Sequence, residues 1–201
     1  QRTSRLTDEM KEESKRLLGL MGIPFVQAPA EGEAQCVHLT KKGDAWCVGS
    51  QDYDSLLLGA EKLVRGLTLS SSFDLEIINL NEALKNLGIS REQLIDIAIL
   101  VGTDFNKGAK GIGPKRALKI VKEGTIERLD LDFDIEKVRG LFLEPDVSDD
   151  YNIEFGCPDT GGLFSFLCDE HDFSRMRAEK AVENMNSALT ELSQKDLSAW
   201  F

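Results

Sequence analysis

The alternation of apolar and polar positions divides the first half of the chain into short strands and helices. Two apolar runs without charge, residues 23–27 and 45–50, are predicted to be buried strands, and the second is bounded by polar residues. Residues 33–40 between them carry a helical pattern that ends at residues 41–43 (Lys-Lys-Gly). A strand, a helix and a second strand in this order predict a right-handed parallel unit.

The same patterning predicts two more strands and several helices further along. Residues 62–69 and 75–80 are predicted to be strands, joined as a hairpin across 70–72. The first predicted helix starts at residue 7 or 8 and ends at Gly19 or Gly22. Further helices are predicted at 81–87, 91–101, 163–168 and 174–192. Their predicted N-caps are Thr7 or Asp8, Asn81, Ser90 (with Gln93 as a capping box) and Ser174.

Composition narrows the class of protein. With 41% hydrophobic and 29% charged residues, the 201-residue chain has the balance of a soluble globular protein, and no apolar run is long enough to span a membrane. The four cysteines lack C-x-x-C spacing, which predicts reduced thiols in a cytosolic protein. A net charge of −11 argues against nucleic acid as a partner, although a local basic patch can act independently of the total. The first residue is Gln1, so a fragment or a processed chain is expected.

Two acidic pairs flank the predicted strand at 45–50. Glu31 and Glu33 precede it, and Asp52 and Asp54 follow directly after it, where open parallel sheets place their ligands. A fifth acid, Asp104, follows the predicted helix at 91–101. Carboxylates gathered in one cleft repel each other unless cations neutralise them, and oxygen ligands without histidine or cysteine favour Mg²⁺ or Mn²⁺. The alternative is that such pairs lie on a solvated surface.

A glycine-rich turn predicts contacts with a nucleic-acid backbone. Gly111-Ile112-Gly113 stands before a proline at a helix start, the arrangement of a helix–hairpin–helix that seats a phosphate on backbone amides. The stretch around the turn is basic, with cations at Lys107, Lys110, Lys115 and Arg116. Such contacts bind the backbone without reading sequence. The alternative is a plain connector between two helices.

The last residues of the chain form a short apolar anchor. On a tight helical turn, Leu197, Trp200 and Phe201 fall on one side, with Gln194 as a polar neighbour. Two terminal aromatics favour binding in a groove of a partner protein, and the alternative is that they pack on the chain's own core.

Four segments together resemble the flap endonuclease family within the XPG/5′-nuclease superfamily, most closely its archaeal members. They are P-A-E-G-E-A-Q (29–35), Q-D-Y-D-S-L-L (51–57), V-G-T-D-F-N (101–106) and K-G-I-G-P-K-R-A (110–117). The resemblance implies an α/β fold with a PIN-like (5′-nuclease) parallel sheet core, a helix–hairpin–helix (helix–three-turn–helix) element and C-terminal helices. The implied domains are the C-terminal part of the nuclease α/β core at 1–89, the helix–hairpin–helix DNA-binding element at 90–125, a C-terminal helical region at 126–192 and a clamp-interacting tail at 193–201.

The resemblance also implies roles for individual residues. Glu31 and Glu33 would serve one divalent metal, and Asp52, Asp54 and Asp104 a second. The duplex backbone would be bound by Gly111, Gly113, Lys110, Lys115 and Arg116, and a K⁺ ion by the carbonyls of Gly108, Ala109 and Ile112. Relatives often carry serine where this chain has Gly108. The sliding-clamp peptide of the family, Q-x-x-h-x-x-aromatic-aromatic, matches Gln194, Leu197, Trp200 and Phe201.

The function expected from the resemblance is a structure-specific 5′ flap endonuclease and 5′-3′ exonuclease. It would use two Mg²⁺ ions, with Mn²⁺ as a substitute, in Okazaki-fragment maturation and repair. The expected partners are flap DNA and a PCNA-type sliding clamp, with no membrane. The expected compartment is the cytoplasm of an archaeal cell, or the nucleus of a eukaryotic one. Family members begin with a further segment that carries two more metal-binding aspartates and a basic arch. Because that segment does not precede Arg2, an alternative is a non-catalytic module that binds duplex DNA and the clamp.

Overall fold

The computed structural model describes residues 6–67 and 75–198, and side chains outside 189–198. The chain divides into two compact units, one built from residues 1–26 and 151–201 and the other from 27–150. The domain boundaries predicted at 89, 125 and 192 separate functional regions and do not coincide with the boundaries of these compact units. They stay predictions. Among the described residues, no helix is both long enough and apolar enough to cross a bilayer.

The described elements are mainly helices, together with one small sheet in the 27–150 unit. The strands are β1 (Val48–Gly49), β2 (Lys62–Arg65) and β3 (Glu76–Asn79). The α-helices are α1 (Asp8–Leu20), α2 (Gly32–Lys42), α3 (Asp54–Leu57), α4 (Leu80–Leu87), α5 (Arg91–Val101), α6 (Pro114–Lys122), α7 (Ile135–Leu143), α8 (Thr160–Phe164) and α9 (Arg175–Ser198). A 3₁₀ turn spans Ile126–Arg128 and a π-helical turn spans Ser165–Glu170.

The sheet of the 27–150 unit has the order β1-β2-β3. β1 and β2 are parallel, with Val48 opposite Leu63, whereas β2 and β3 are antiparallel. The predicted hairpin is therefore confirmed in its strands, although its turn at 70–72 lies outside the described residues. Because β3 runs against its neighbour, the sheet is mixed and only its β1–β2 pair is parallel.

Apolar side chains from the sheet and from five helices (α2, α3, α4, α5 and α7) make the main core of this unit. Leu63 of β2 and Ile95 and Ile99 of α5 are fully buried, and Phe142 of α7 is 1% exposed. Each such side chain contributes roughly 1.5–3 kcal/mol by leaving water. Val37 of α2 belongs to the same cluster, so the helix that begins at the first acidic pair is packed against the sheet.

The predicted helical hairpin is present between α5 and α6. Ser90 and Gln93 form the predicted capping box at the start of α5, and Pro114 opens α6 at its first turn after Gly113 as N-cap. A second core cluster, centred on Leu100 and Ala117, joins the two helices.

Three sequence predictions of local structure were wrong. Residues 23–27 form no strand, because no backbone ladder pairs with them among the described residues. The parallel pair is consequently β1 with β2, connected through α3, and not 23–27 with 45–50. The cap of α4 is Asn79, whose side chain accepts from the Glu82 amide, and not Asn81. The amide of Leu80 bonds to the Glu61 carbonyl, so the chain leaves β3 directly into the helix.

The second unit packs α1 beside the turn of π-helix. Thr7 caps α1 through the Met10 amide, as predicted. Arg16 of α1 forms two hydrogen bonds to Glu170, at 2.5 and 2.6 Å, and lies 5.0 Å from the Phe166 ring centroid. The predicted helix at 163–168 is split between α8 and the π-helical turn.

The end of the chain is only partly described. Gln194 and Leu197 lie within α9, where side chains are not described, and Trp200 and Phe201 lie outside the described residues. The predicted clamp-binding anchor therefore stays a prediction.

Two glycines of the hairpin loop differ in how tightly the backbone approaches them, although both have a positive φ. A Cβ at Gly108 (φ +75°) would lie 2.4 Å from the Val101 carbonyl oxygen, whereas one at Gly111 (φ +76°) would meet nothing within 4 Å. We expect Gly111→Ala to cost about 1–2 kcal/mol, the backbone strain alone. Gly108→Ala should cost roughly 1–3 kcal/mol more, because backbone atoms must move.

The measurement is the free energy of unfolding in urea for both variants. Equal losses at Gly108 and Gly111 would contradict the close approach of the two backbones.

Candidate metal centre and nucleic-acid interface

Three segments of the 27–150 unit present the five predicted acids. Glu31 is the N-cap of α2 and Glu33 lies in its first turn. Asp52 lies in the turn after β1, and Asp54 is the first residue of α3. Asp104 follows α5, in a tight turn closed by hydrogen bonds between Thr103 and Asn106.

The structure brings all five carboxylates to one cleft of about 790 Å³. Its walls also include apolar and acidic residues that sequence reasoning did not assign to the site. They are Tyr53, Leu58, Phe105, Leu141, Phe142, Glu144, Pro145 and Asp146. The acidic run Glu144-Pro145-Asp146 is visible in the sequence, but its position at this cleft depends on the path of the chain after α7.

Burial and mutual repulsion raise the pKa of two of the five carboxylates. Burial raises the pKa of Glu33, and repulsion from Asp54 and Asp52 adds to this, against a hydrogen bond from Ser50 that lowers it. Burial likewise raises the pKa of Asp54, with further contributions from Asp104, Asp52 and Glu31. Acids from all three segments therefore interact electrostatically, and a cation in the cleft would relieve their repulsion.

One carboxylate oxygen lacks the partner that burial normally requires. Oε1 of Glu33 accepts from the Ser50 hydroxyl, but its buried Oε2 has no hydrogen-bond partner in the described part of the chain. A buried oxygen of this kind is usually paired or bound to a metal. Because the donor set is made of carboxylates alone, it fits Mg²⁺ or Mn²⁺.

The carboxylates surround a common space but do not form a closed ligand shell. Among the described side chains (residues 6–67 and 75–188), no three acidic, histidine or cysteine side chains stand close enough to hold an ion as they are. Binding of a cation by several of these carboxylates would require their side chains to move closer together.

A buried glutamine joins the first acidic helix to the acidic wall of the cleft. Gln35 of α2 is 2% exposed. Its amide nitrogen donates to the Ser148 carbonyl and its amide oxygen accepts from the Ser148 amide, both at 2.8 Å. Lys42 and His38 bond to the neighbouring Asp149 and lower the pKa of that carboxyl. These contacts fix the segment that carries Glu144 and Asp146 beside α2.

The hairpin loop presents its predicted phosphate-binding groups to solvent. Its four cations are all exposed, and so are Gly111 and Gly113. Arg116 donates to the Gly111 carbonyl at 3.3 Å and so lies over the turn. This arrangement leaves a basic surface around the N-terminus of α6.

The residues predicted to hold K⁺ are only partly together. Gly108 and Ala109 line a second cavity of about 570 Å³, with Asp130 and Asp132 on its other side. Ile112 does not line this cavity, and its amide donates to the Ala109 carbonyl at 3.1 Å.

The chain and its structure resemble proteins of the XPG family. Residues 22–104 match the family model of the XPG I-region. The structure superimposes on flap endonuclease-1 from Methanococcus jannaschii with a TM-score of 0.89 at 45% identity, covering 95% of this chain and 61% of that one. It superimposes on the catalytic core of Rad2 with a TM-score of 0.78 at 26% identity, covering 87% of this chain and 73% of that one. The fold is that of the XPG nucleases.

Sequence comparison places the chain more narrowly. It is 51% identical to flap endonuclease 1 of Methanothermobacter thermautotrophicus and 47% identical to that of Archaeoglobus fulgidus, in each case over 100% of this chain. The chain belongs to the flap endonuclease family, as the four sequence motifs predicted. It spans 63% and 64% of the length of these two relatives.

The Gln35 contacts give a prediction for stability. Gln35→Leu keeps the volume but leaves the Ser148 backbone groups without their partner, which should cost about 1–3 kcal/mol. Urea unfolding measures this loss, and hydrogen exchange should show faster exchange of the Ser148 amide. Gln27→Leu, at an exposed position, is the control and should change stability by less than about 0.5 kcal/mol. Unchanged exchange at Ser148 would refute the anchoring role.

Proposed function

We propose that this chain is part of a structure-specific 5′ flap endonuclease and 5′-3′ exonuclease that hydrolyses DNA phosphodiesters in Okazaki-fragment maturation and repair. The supporting observation is the convergence of five carboxylates from three segments on one cleft, in a chain homologous to flap endonucleases. Two Mg²⁺ ions, replaceable by Mn²⁺, are the proposed cofactors.

In this proposal the carboxylates divide between two cations. Glu31 and Glu33 hold one, and Asp52, Asp54 and Asp104 hold the other, directly or through water. Bound Mg²⁺ supplies Lewis acidity toward the scissile phosphate and the attacking water. Ser50 orients Glu33 by bonding to its Oε1, which leaves the buried Oε2 free for the cation.

The helical hairpin between α5 and α6 is the proposed binding site for the DNA duplex. The amides at Gly111 and Gly113 and the cations Lys110, Lys115 and Arg116 would hold phosphates beside the N-terminus of α6. The carbonyls of Gly108, Ala109 and Ile112 would hold K⁺ at the same loop. Because the net charge of the chain is −11, DNA must approach through this local basic surface.

The C-terminal peptide is the proposed contact with a PCNA-type sliding clamp. Its support is the sequence pattern of Gln194, Leu197, Trp200 and Phe201. The proposed compartment is the cytoplasm of an archaeal cell, or the nucleus if the source is eukaryotic.

A second candidate is a non-catalytic module that binds duplex DNA and the clamp. One observation favours it: in the described part of the chain, no three potential metal-ligating side chains stand close enough together to hold an ion.

Cleavage of a 5′-flap DNA separates the two candidates. With Mg²⁺, Asp104→Asn should lower the cleavage rate of this chain by at least about 100-fold while duplex binding persists, because a ligand of one cation is lost. Asp169→Asn, at an exposed carboxylate that lines neither the acidic cleft nor the cavity beside the hairpin loop, is the matched control and should keep the full rate. If the unaltered chain binds duplex DNA but does not cut it, the binding module is the correct function.

The hairpin makes a prediction about salt dependence. Reversing two charges at the start of α6, Lys115→Glu with Arg116→Glu, should weaken duplex binding and reduce the slope of log affinity against log salt by about 2. The control reverses two charges in the last turn of the same helix, Lys119→Glu with Lys122→Glu. Fluorescence anisotropy at several salt concentrations measures both. Equal changes in the two pairs would mean that only total charge matters.

A further inference from the structure

Tyr53 is one of the residues that line the acidic cleft. The residue stands between Asp52 and Asp54, two of the proposed metal ligands, and lines the same cleft. It is 52% exposed. A large aromatic surface held open beside charged groups is favourable for binding and unfavourable for folding, since its apolar area remains in water.

Arg65 of β2 fixes the orientation of this ring. Its guanidinium lies 4.1 Å from the ring centroid and donates to the Tyr53 hydroxyl. The same guanidinium donates to the Gln51 carbonyl at 3.1 Å and to Glu76 at 2.9 Å. Glu76 is the register partner of Arg65 on β3, so the arginine is itself held by the sheet. The ring is therefore pre-oriented, and binding on it costs little conformational entropy.

The two faces of the ring differ. One face is covered by Arg65, which does not line the acidic cleft, whereas Tyr53 does. The face of the Tyr53 ring that is accessible from the cleft is therefore the one turned away from the guanidinium. This geometry is a flat platform backed by a cation and open toward the carboxylates.

We propose that Tyr53 is a stacking platform for one unpaired nucleobase of the DNA strand to be cut. The inference rests on the proposed function, because a phosphodiester held through cations at Asp52 and Asp54 places an attached base about one sugar away, near Tyr53. Stacking on an aromatic ring is indifferent to base identity, as an enzyme that reads structure requires. Only a base removed from its duplex stack offers a free face, so the platform selects an unpaired nucleotide.

A similar pair elsewhere in the unit serves as a control. Trp46 is 65% exposed and lies 4.7 Å from Lys62 Nζ, again an aromatic ring beside a cation, but it does not line the acidic cleft. If any exposed aromatic side chain could bind DNA regardless of its position, substitution of Trp46 and of Tyr53 would weaken DNA binding equally.

The test is a double-mutant cycle between protein and DNA. The full chain binds a 5′-flap DNA in Ca²⁺, which replaces Mg²⁺ to suppress cleavage, and affinity is measured by fluorescence anisotropy. One intact DNA is compared with a set that carries a single abasic site at each nucleotide flanking the junction. Tyr53→Ala should weaken binding of the intact DNA by about tenfold. On DNA that is abasic at the stacked position, the same substitution should have less than about a twofold effect.

Two further variants exclude a merely structural role. Tyr53→Phe keeps the ring and should bind the intact DNA at least about fivefold more tightly than Tyr53→Ala. Trp46→Ala should bind as the unaltered chain does. The Mn²⁺ affinity of Tyr53→Ala, measured by electron paramagnetic resonance without DNA, should equal that of the unaltered chain.

The outcomes distinguish failure of the Tyr53 proposal from failure of the proposed nuclease function. If Tyr53→Ala lowers affinity equally for intact DNA and every abasic DNA, or not at all, the platform is refuted while the nuclease function stands. If the unaltered chain binds no flap DNA in Ca²⁺, the proposed function fails and the platform fails with it.

Discussion

Repulsion between like charges is the constraint that this structure is built around. Three segments bring carboxylates to one cleft, where burial and mutual repulsion raise the pKa of Glu33 and Asp54. The energy that holds them there comes from the apolar core behind the cleft, in which Leu63, Ile95 and Ile99 are fully buried. A cation in the cleft would relieve the repulsion, so metal binding and the stability of this unit are linked.

One helix connects the two functional surfaces of the unit. The turn that carries Asp104 follows α5, and the loop that runs into α6 begins directly after that turn. The amide of Ala109 bonds to the Leu100 carbonyl at 2.8 Å, which fixes the loop to the end of the helix. The proposed DNA-binding site and the proposed metal cleft are thus joined by one helix, which the proposed nuclease function would need if one duplex is to occupy both.

Local signals in the sequence predicted local structure well where the governing interaction is itself local. The capping box at Ser90 and the proline start of α6 were found correctly, because each depends on neighbours within one helical turn. The strand expected at 23–27 was wrong because an apolar run becomes a strand only beside a partner with free backbone groups. The cap at Asn79 was missed because β3 passes straight into α4.

The sequence alone determined the family and the five acids, because both are carried by short motifs whose residue types and spacing survive without coordinates. Tertiary structure decided which groups share a space. Glu144 and Asp146 lie at the acidic cleft through a contact distant in sequence, that of Gln35 with Ser148, and the orientation of the Tyr53 ring depends on Arg65, which Glu76 holds in turn. Such contacts depend on how helices and strands pack, and no spacing in the chain encodes them directly.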